Sequence, residues 1–360
     1  WSLYMTGWDK DYLAHKEEYL TLFDSVMQKK QETNIEFLEK KLAKRLGRNV
    51  VCCASGTDAL YFALLSRGIG PGDEVLVSNF SWISTASVIS MTGATPVFTS
   101  IEAGSLHMNI SSIRKLYGPK SLPVGGYTSK VKALIYPHLF GNMSDTTRIK
   151  QFCKAKDILF VEDACQALGS SYNGVAAGTI GDISTLSFND NKVIAGIAGG
   201  GAIVTDGDTE IFKKLRKHGN HEMLGYNSKM LLFNAEVINY RLDKLDWYIE
   251  KRQAVAKLYD DALKDVVTVQ DNPPELNHNY HKYVVRFKDK ETRDKVKEKI
   301  GQVHYAKPLA EYPMYENIPH RKEDKGLAQE VCDTILSLPI HPYMTEEEVN
   351  KVVNTILILA

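Results

Sequence analysis

Two side chains that could carry covalent chemistry follow predicted strands. Asp163 ends the segment Val161-Glu162-Asp163, and Lys192 closes Ser187-Phe188-Asn189-Asp190-Asn191-Lys192. A lysine amine can condense with an aldehyde to form an imine. A carboxylate can keep a pyridine nitrogen protonated, which turns the ring into an electron sink. Taken singly, Asp163 could instead be a helix N-cap and Lys192 a surface lysine.

A second group of residues could bind an anion and a planar ring. Gly56 and Thr57 join a predicted strand to a helix, where free amides and a hydroxyl form an anion site. Ser187 could add another hydroxyl. Trp82 follows the next strand and could stack on a flat cofactor. The alternatives are an ordinary capped turn for Gly56-Thr57 and a core or interface role for Trp82.

The pattern of apolar runs predicts the elements that position these residues. Strands alternate with helices through the first two-thirds of the chain, which indicates a mostly parallel α/β sheet covered by helices on both faces. We predict a large α/β domain over residues 1–245 and a smaller C-terminal α+β domain over 246–360. The predicted strands are 50–53, 74–78, 96–98, 131–136, 158–162, 183–188, 202–205 and 280–287, and the predicted helices are 58–66, 83–91, 146–155, 235–263, 291–300 and 345–358.

The composition excludes several classes of protein. Lys+Arg and Asp+Glu both number 44 in 360 residues, so no excess of positive charge favours binding to nucleic acid. The five cysteines have no metal-ligand spacing, so we expect no zinc site or disulfide framework, and a reducing, cytoplasmic location. We expect no membrane-spanning segment, since no apolar run approaches about 20 residues. Met5 is the expected natural start, with Trp1 to Tyr4 as an added remnant.

Seven segments in order carry a resemblance to a known family. They are "SGTDAL", "GDEVLVSNFSWISTASVISMTGATPVF", "VEDACQALGS", "GDISTLSFNDNK", "GGGAIVTD", "GYNSKM" and "LSLPIHPYMTEEEV". From about Thr33 to the C-terminus, the chain resembles the StrS/DegT-type sugar aminotransferases, which are fold-type I enzymes. The resemblance implies pyridoxal 5′-phosphate as cofactor, with pyridoxamine phosphate formed during the reaction. It also implies a nucleotide-linked keto sugar as substrate and an amino-acid donor, which we expect to be glutamate.

The resemblance assigns roles to matching residues. Lys192 matches the Schiff-base lysine that also moves the proton, and Asp163 matches the partner of the pyridine nitrogen. The other implied cofactor contacts are Gly56, Thr57 and Ser187 at the phosphate, Trp82 on the ring, Gln166 near the phenolic oxygen and Asn227 at the phosphate of a neighbouring subunit. The last match implies a homodimer with shared sites.

The substrate side is less well defined. His281, His304 and Tyr305 match segments that face the sugar in the family, although a structural role would explain each equally well. Many family members have Arg where this chain has Lys229, which weakens an anion-binding role there because lysine cannot make a bidentate fork. "SFNDNK" is closer to members that aminate C4 of a 4-keto-6-deoxyhexose, giving a 4-amino-4,6-dideoxyhexose. The alternatives are a deoxygenating relative, which has His in place of Lys192, and a non-catalytic regulator that binds the cofactor.

Overall fold

The computed structural model describes residues 7–29, 33–118, 130–323 and 326–360. Met5 and the four residues before it lie outside the described residues. The first part of the chain supplies most of a large sheet and its covering helices. Its helices are α1 Trp8–Ala14, α2 Lys16–Lys29, α3 Thr33–Leu46, α4 Gly56–Leu65, α5 Ile83–Met91, α6 Ile110–Tyr117, α7 Thr147–Lys156, α8 Glu210–Leu215 and α9 Leu232–Leu242. Its strands are β1 Asn49–Cys53, β2 Glu74–Ser78, β3 Thr95–Thr99, β4 Val131–Pro137, β5 Leu159–Asp163, β6 Ser171–Tyr172, β7 Val175–Ala176, β8 Ile183–Ser187 and β9 Gly201–Thr205.

The C-terminal part contains shorter strands between helices. Its helices are α10 Leu245–Leu263, α11 Lys290–Ile300, α12 Leu327–Thr334 and α13 Glu346–Leu359. Its strands are β10 Thr268–Val269, β11 Leu276–Asn277, β12 Tyr283–Arg286, β13 Arg321–Lys322 and β14 Ile335–Leu338. A small antiparallel sheet has the order β10-β12-β14.

The large sheet is mostly parallel, as the sequence predicted. Its order is β1-β9-β8-β5-β4-β2-β3-β13. Strand β9 pairs antiparallel with both β1 and β8, and the other pairings are parallel. The carboxyl ends of β1, β2, β5 and β8 therefore meet at one edge, where ligands bind in open α/β sheets.

Both faces of the sheet are buried, which explains the continuous apolar runs in its strands. In β2, Leu76 packs into one core while Val75 and Val77 pack into another on the opposite face. In β4, Leu134 and Ile135 divide between the same two cores. A third core lies between the small sheet and helices α10, α11 and α13.

The predicted single helix over 235–263 is wrong, because the structure has two helices there. The Lys244 amide donates to the Arg241 carbonyl at 3.0 Å, three residues back rather than four. That tighter turn ends α9 at Leu242, and α10 begins at Leu245. No glycine or proline marks the break. The predicted strand over 280–287 is also shorter, running only from Tyr283 to Arg286. The domain boundary near Leu245 stays a prediction.

Helix α1 is fixed to the rest of the molecule by a buried carboxylate. Asp11 accepts hydrogen bonds from the hydroxyls of Tyr19, Tyr248 and Tyr343, the last two at 2.6 Å, and lies 3.5 Å from the guanidinium of Arg241. Burial alone would raise the pKa of Asp11, but Arg241 and the three hydroxyls outweigh it and lower that pKa. None of the described helices has the length and apolar character that a membrane span requires.

Candidate active site

A cavity of about 320 Å³ opens at the carboxyl edge of the large sheet. Strand β5 delivers Asp163 to it and β8 delivers Ser187, while α4 and α5 begin at its border. Ten of the predicted site residues line this one cavity: Gly56, Thr57, Trp82, Asp163, Gln166, Ser187, Lys192, His281, His304 and Tyr305.

Asp163 lies at the floor of the cavity and is 7% exposed. Its two carboxylate oxygens accept hydrogen bonds from the Thr85 hydroxyl at 2.9 Å and the Cys165 amide at 3.2 Å. These donors fix the direction of the carboxylate and leave lone pairs open toward the cavity. No helix starts after Asp163, since residues 165–169 form a turn. The alternative interpretation of Asp163 as a helix N-cap is therefore wrong.

The neighbouring carboxylate, Glu162, is committed to the fold instead. It accepts hydrogen bonds from the amides of Gly178, Ile180 and Gly181 at 2.7–3.1 Å and from the Ser184 hydroxyl at 2.7 Å. Burial alone would raise its pKa, but the His138 ring and these donors lower the pKa to about 2. Adjacent residues of one strand point to opposite faces, so Asp163 faces the cavity while Glu162 binds the following loop.

Lys192 is partly buried on the turn after β8, with its amide donating to the Asn189 carbonyl at 2.9 Å. Burial lowers the pKa of Lys192, although Cys165, Asp163 and Asp190 oppose that shift. A lowered pKa increases the share of neutral, nucleophilic amine at neutral pH. The position in the cavity does not fit a surface lysine.

The first turn of α4 forms a site that suits an anion. Ser55 is the N-cap, and its hydroxyl accepts from the Asp58 amide at 3.0 Å. Thr57 is therefore not the cap, and its hydroxyl lies in the cavity, bonded to Ser84 at 2.9 Å. A Cβ at Gly56 would lie 2.8 Å from the Cβ of Ser187, so only glycine lets α4 approach β8 this closely. The free amides of this first turn carry partial positive charge.

Aromatic and amide groups close the other side of the cavity. Trp82 is 54% exposed, which rules out a core role, and its ring centroid lies 6.2 Å from that of Tyr305. Gln166 donates to the Tyr305 hydroxyl at 2.8 Å and accepts from the Phe140 amide at 2.7 Å. Gln166 thus joins the large sheet to the C-terminal segment that carries Tyr305.

Burial and nearby positive charges keep the two histidine rings neutral. Burial lowers the pKa of His281 well below 6.5 and that of His304 to about 3, and nearby lysines add to both shifts. The Nδ1 atom of His304 lies 2.9 Å from the Ser337 hydroxyl, whereas Nδ1 of His281 is buried without a hydrogen-bond partner among the described residues. Neutral rings can orient a sugar hydroxyl but add no positive charge.

The sequence of the whole chain was also compared with known proteins. Residues 14–357 match the model of the DegT/DnrJ/EryC1/StrS aminotransferase family. The chain belongs to this family. The resemblance seen in the sequence is thereby confirmed, and so are the enzyme class and the cofactor. The protein is a pyridoxal-phosphate-dependent nucleotide-sugar aminotransferase.

Individual relatives differ in their described roles. A UDP-N-acetyl-3-dehydro-α-D-glucosamine 3-aminotransferase of Acidithiobacillus ferrooxidans is 31% identical over 85% of this chain and 83% of its own. A protein of Geobacillus stearothermophilus described as a pleiotropic regulatory protein is 28% identical over 98% and 97%. The crystal structure of a DegT/DnrJ/EryC1/StrS aminotransferase from Brucella abortus superposes with a TM-score of 0.89 at 27% identity, covering 98% of each chain. These matches confirm the predicted fold class.

The cavity of this aminotransferase suits pyridoxal phosphate on chemical grounds. It combines a desolvated lysine for the aldehyde, a fixed carboxylate for the ring nitrogen and the first turn of a helix for the phosphate. The absence of a Cβ at Gly56 lets the first turn of α4 lie against Ser187 at this edge of the cavity.

Asn227 is the one predicted site residue that does not line the cavity of its own chain. Its side chain is exposed, and its backbone pairs with Lys217. The next residue, Ser228, donates to the Asp58 carboxylate at 2.7 Å and accepts from the Ala54 amide at 3.1 Å. Asn227 thus sits on a segment anchored beside the start of α4 while facing outward.

Among the cavity residues that the sequence did not predict, one carries an ionisable amine. Lys282 is only 5% exposed and lines the cavity of this aminotransferase. The sequence contained a signal for this residue. Lys282 lies within the largely aromatic and apolar run from Tyr280 to Phe287, and lysine is seldom fully buried.

Proposed function

We propose that the enzyme transfers the amino group of glutamate to a nucleotide-linked 4-keto-6-deoxyhexose, giving a 4-amino-4,6-dideoxyhexose. The observation that carries the transamination is the meeting of Lys192, with its lowered pKa, and the oriented Asp163 in one cavity. A lysine at position 192 also argues against the deoxygenating relatives, which have histidine there. The absence of an excess of basic residues in the sequence argues against a regulator that binds DNA.

In this proposal the residues of the chain divide the work. When bound, pyridoxal phosphate supplies an electron sink for the carbon that loses its proton. Lys192 binds the aldehyde and, when released, moves the proton between the donor Cα and the cofactor. Asp163 keeps the ring nitrogen protonated. The remaining proposed contacts are Gly56, Thr57 and Ser187 at the phosphate, Trp82 on the ring and Gln166 near the phenolic oxygen.

The sugar carbon is assigned from the segment "SFNDNK", which favours C4. A second candidate is C3, because the relative from Acidithiobacillus ferrooxidans is described as a 3-aminotransferase acting on a 3-dehydro sugar. His281, His304 and Tyr305 are the proposed contacts of the sugar, since they line the same cavity as Asp163 and Lys192. The five cysteines are free thiols, which supports the proposal of a reducing cytoplasmic location.

A panel of nucleotide-linked 3-keto and 4-keto sugars, each offered with glutamate, tests the substrate assignment. We expect amination of a 4-keto-6-deoxyhexose, identified by product mass and NMR. The same panel with alanine as donor is the control for donor choice. Amination of the 3-keto sugars alone would replace C4 by C3, and no amination of any member would contradict the proposed function.

We further propose a homodimer whose sites are shared between subunits, with Asn227 at the cofactor phosphate of the partner. The exposed apolar side chains near Asn227 support such an interface. Leu224 is 91% exposed, Leu231 is 64% exposed and Tyr226 is 40% exposed. Monomeric proteins rarely leave such neighbouring apolar groups in water.

Mixing two inactive variants should restore activity if the sites are shared. In a hybrid of Asn227→Asp and Lys192→Ala subunits, one site carries both changes and the other carries neither, because of the two-fold symmetry. Each hybrid should regain up to about half of the wild-type activity. The negative charge in Asn227→Asp is chosen to repel a phosphate.

The exchange of subunits is verified separately with two differently tagged wild-type proteins. Activity in the mixture is measured against each variant alone. If both variants are inactive, exchange is complete and the mixture stays inactive, the shared-site model is wrong.

A further inference from the structure

Lys282 lies between the catalytic cavity and a smaller pocket beside it. It precedes β12, is 95% buried and lines both spaces. Its backbone amide donates to the Phe140 carbonyl at 3.1 Å, which fixes the start of the side chain. Among the described residues, its ammonium has no hydrogen bond or ion pair.

The charges around Lys282 leave the ammonium unbalanced. Lys192 and Arg252 are cationic neighbours, and Asp190 is the anionic one. Arg252 adds to the positive charge, and its guanidinium is held in place by donating to the carbonyls of Tyr280 and Ile340. Asp190 itself is exposed to solvent. A buried cation without a partner is costly unless a ligand supplies the missing anion.

None of the other titratable groups described around Lys282 forms an ion pair with its ammonium. The smaller pocket brings Asp260, whose carboxylate already accepts from the Tyr283 hydroxyl at 2.6 Å, together with His278 and Tyr280. On the cavity side stand His281 and His304, whose pKa values are lowered. Neutral rings on both sides leave the ammonium as a free positive site.

We propose that Lys282 binds a carboxylate of the substrate inside the catalytic cavity, an inference that rests on the proposed function. A single buried ammonium matches one carboxylate, whereas a diphosphate needs several donors. Two substrates of the enzyme can supply such a carboxylate. One is the second carboxylate of the amino donor, and the other is a carboxylate on the sugar.

The protonation state of Lys282 makes the affinity for a carboxylate depend on pH. Burial, together with the positive charges of Lys192 and Arg252, lowers the pKa of Lys282 to about 7, and Asp190 opposes this shift. A carboxylate pairs with the protonated form, so binding raises this pKa and takes up a proton. The affinity is therefore full below pH 7 and falls as the pH rises above 7.

The test uses the holoenzyme and glutarate, a dicarboxylate that has no amino group to transfer. Calorimetry at pH 6 and pH 8.5, in two buffers of different ionisation enthalpy, measures affinity and proton uptake together. We expect Lys282→Met to weaken glutarate binding at least about tenfold and to remove its pH dependence. Lys282→Arg should bind glutarate with little change between the two pH values, since arginine stays charged.

A control variant, Lys251→Met, removes an exposed lysine of α10 and should bind like wild type. The source of the carboxylate is found by comparing half-reactions of Lys282→Met. A raised KM for glutamate with an unchanged KM for neutral keto sugars assigns the amino donor. A loss confined to a keto sugar bearing a carboxylate assigns the sugar.

Two results would overturn the proposal. One is wild-type glutarate affinity that is unchanged between pH 6 and 8.5, which needs no variant and so does not depend on folding. The other is a Lys282→Met protein that binds glutarate normally but loses affinity for UDP, which would make Lys282 a nucleotide contact. Failure of the proposed function is recognised separately, because wild type would then aminate no sugar.

Discussion

Replacing Lys192 by alanine should abolish turnover, with a loss of about 10⁴-fold or more, the upper end of what a positioned acid–base group contributes. Alanine offers neither an amine for the aldehyde nor a base for the donor Cα proton. The fold should persist, because the described contacts of Lys192 include a backbone hydrogen bond but no side-chain hydrogen bond. Steady-state rates and thermal melting of the variant check both parts.

Borohydride reduction followed by peptide mapping gives an independent readout. The cofactor should be fixed to the peptide that contains Lys192. Lys282 is the alternative residue for this label, since it is a second lysine with a lowered pKa in the same cavity. Lys282→Ala is therefore the matched variant, and it should still be labelled at Lys192. A label on Lys282 in wild type would contradict the assignment.

Changing Asp163 to asparagine should lower kcat by about 10²–10³-fold, the size expected when one preorganised electrostatic group is lost. Asparagine keeps the shape, and its carbonyl oxygen can still accept from Thr85 or Cys165. It cannot hold the ring nitrogen protonated. Cofactor affinity should fall much less, because the phosphate contacts at the start of α4 remain. Kinetics and cofactor titration measure the two effects separately.

The adjacent residue provides the control for this variant. Glu162→Gln removes a charge that three backbone amides and Ser184 stabilise, so it should lower the melting temperature without a selective loss of kcat. Near-normal kinetics in Asp163→Asn would return Asp163 to a structural role as the acceptor for Thr85 and Cys165.

The parts of the fold that the sequence predicted well are those with strong local signals. β2 and α5 were predicted at their observed bounds, because each apolar run is flanked by turn-forming or polar residues. The break between α9 and α10 was missed, since a tightened turn at Lys244 needs no special residue. Strand β13 has two residues, which is too short for any periodicity, and it forms only by pairing with β3.

The site residues that could be predicted from the sequence are those whose positions are set by the ends of strands. Asp163 and Ser187 end parallel strands, so their meeting follows from topology. His281, His304 and Tyr305 come from a distant part of the chain, and only the family resemblance pointed to them. Lys282 was missed because its burial without an ion-pair partner among the described residues is a result of tertiary packing. That packing brings Arg252 and His304 close to it. The role of Asn227 depends on a second subunit and stays a prediction.

The Asp11 contacts have a consequence for motion. They join α1 and α2 to α9, α10 and the residue Tyr343 ahead of α13, and Lys10 adds an ion pair with Glu348 at 2.6 Å. Trp8 donates to the Asp190 carbonyl at 2.8 Å, two residues before Lys192. Rotation of the C-terminal part as a rigid body would remove the hydroxyls of Tyr248 and Tyr343 from the Asp11 carboxylate together. The carboxylate would then lose two of its hydrogen bonds in one step. The contacts of α1 therefore oppose a hinge rotation of the C-terminal part for as long as α1 stays docked.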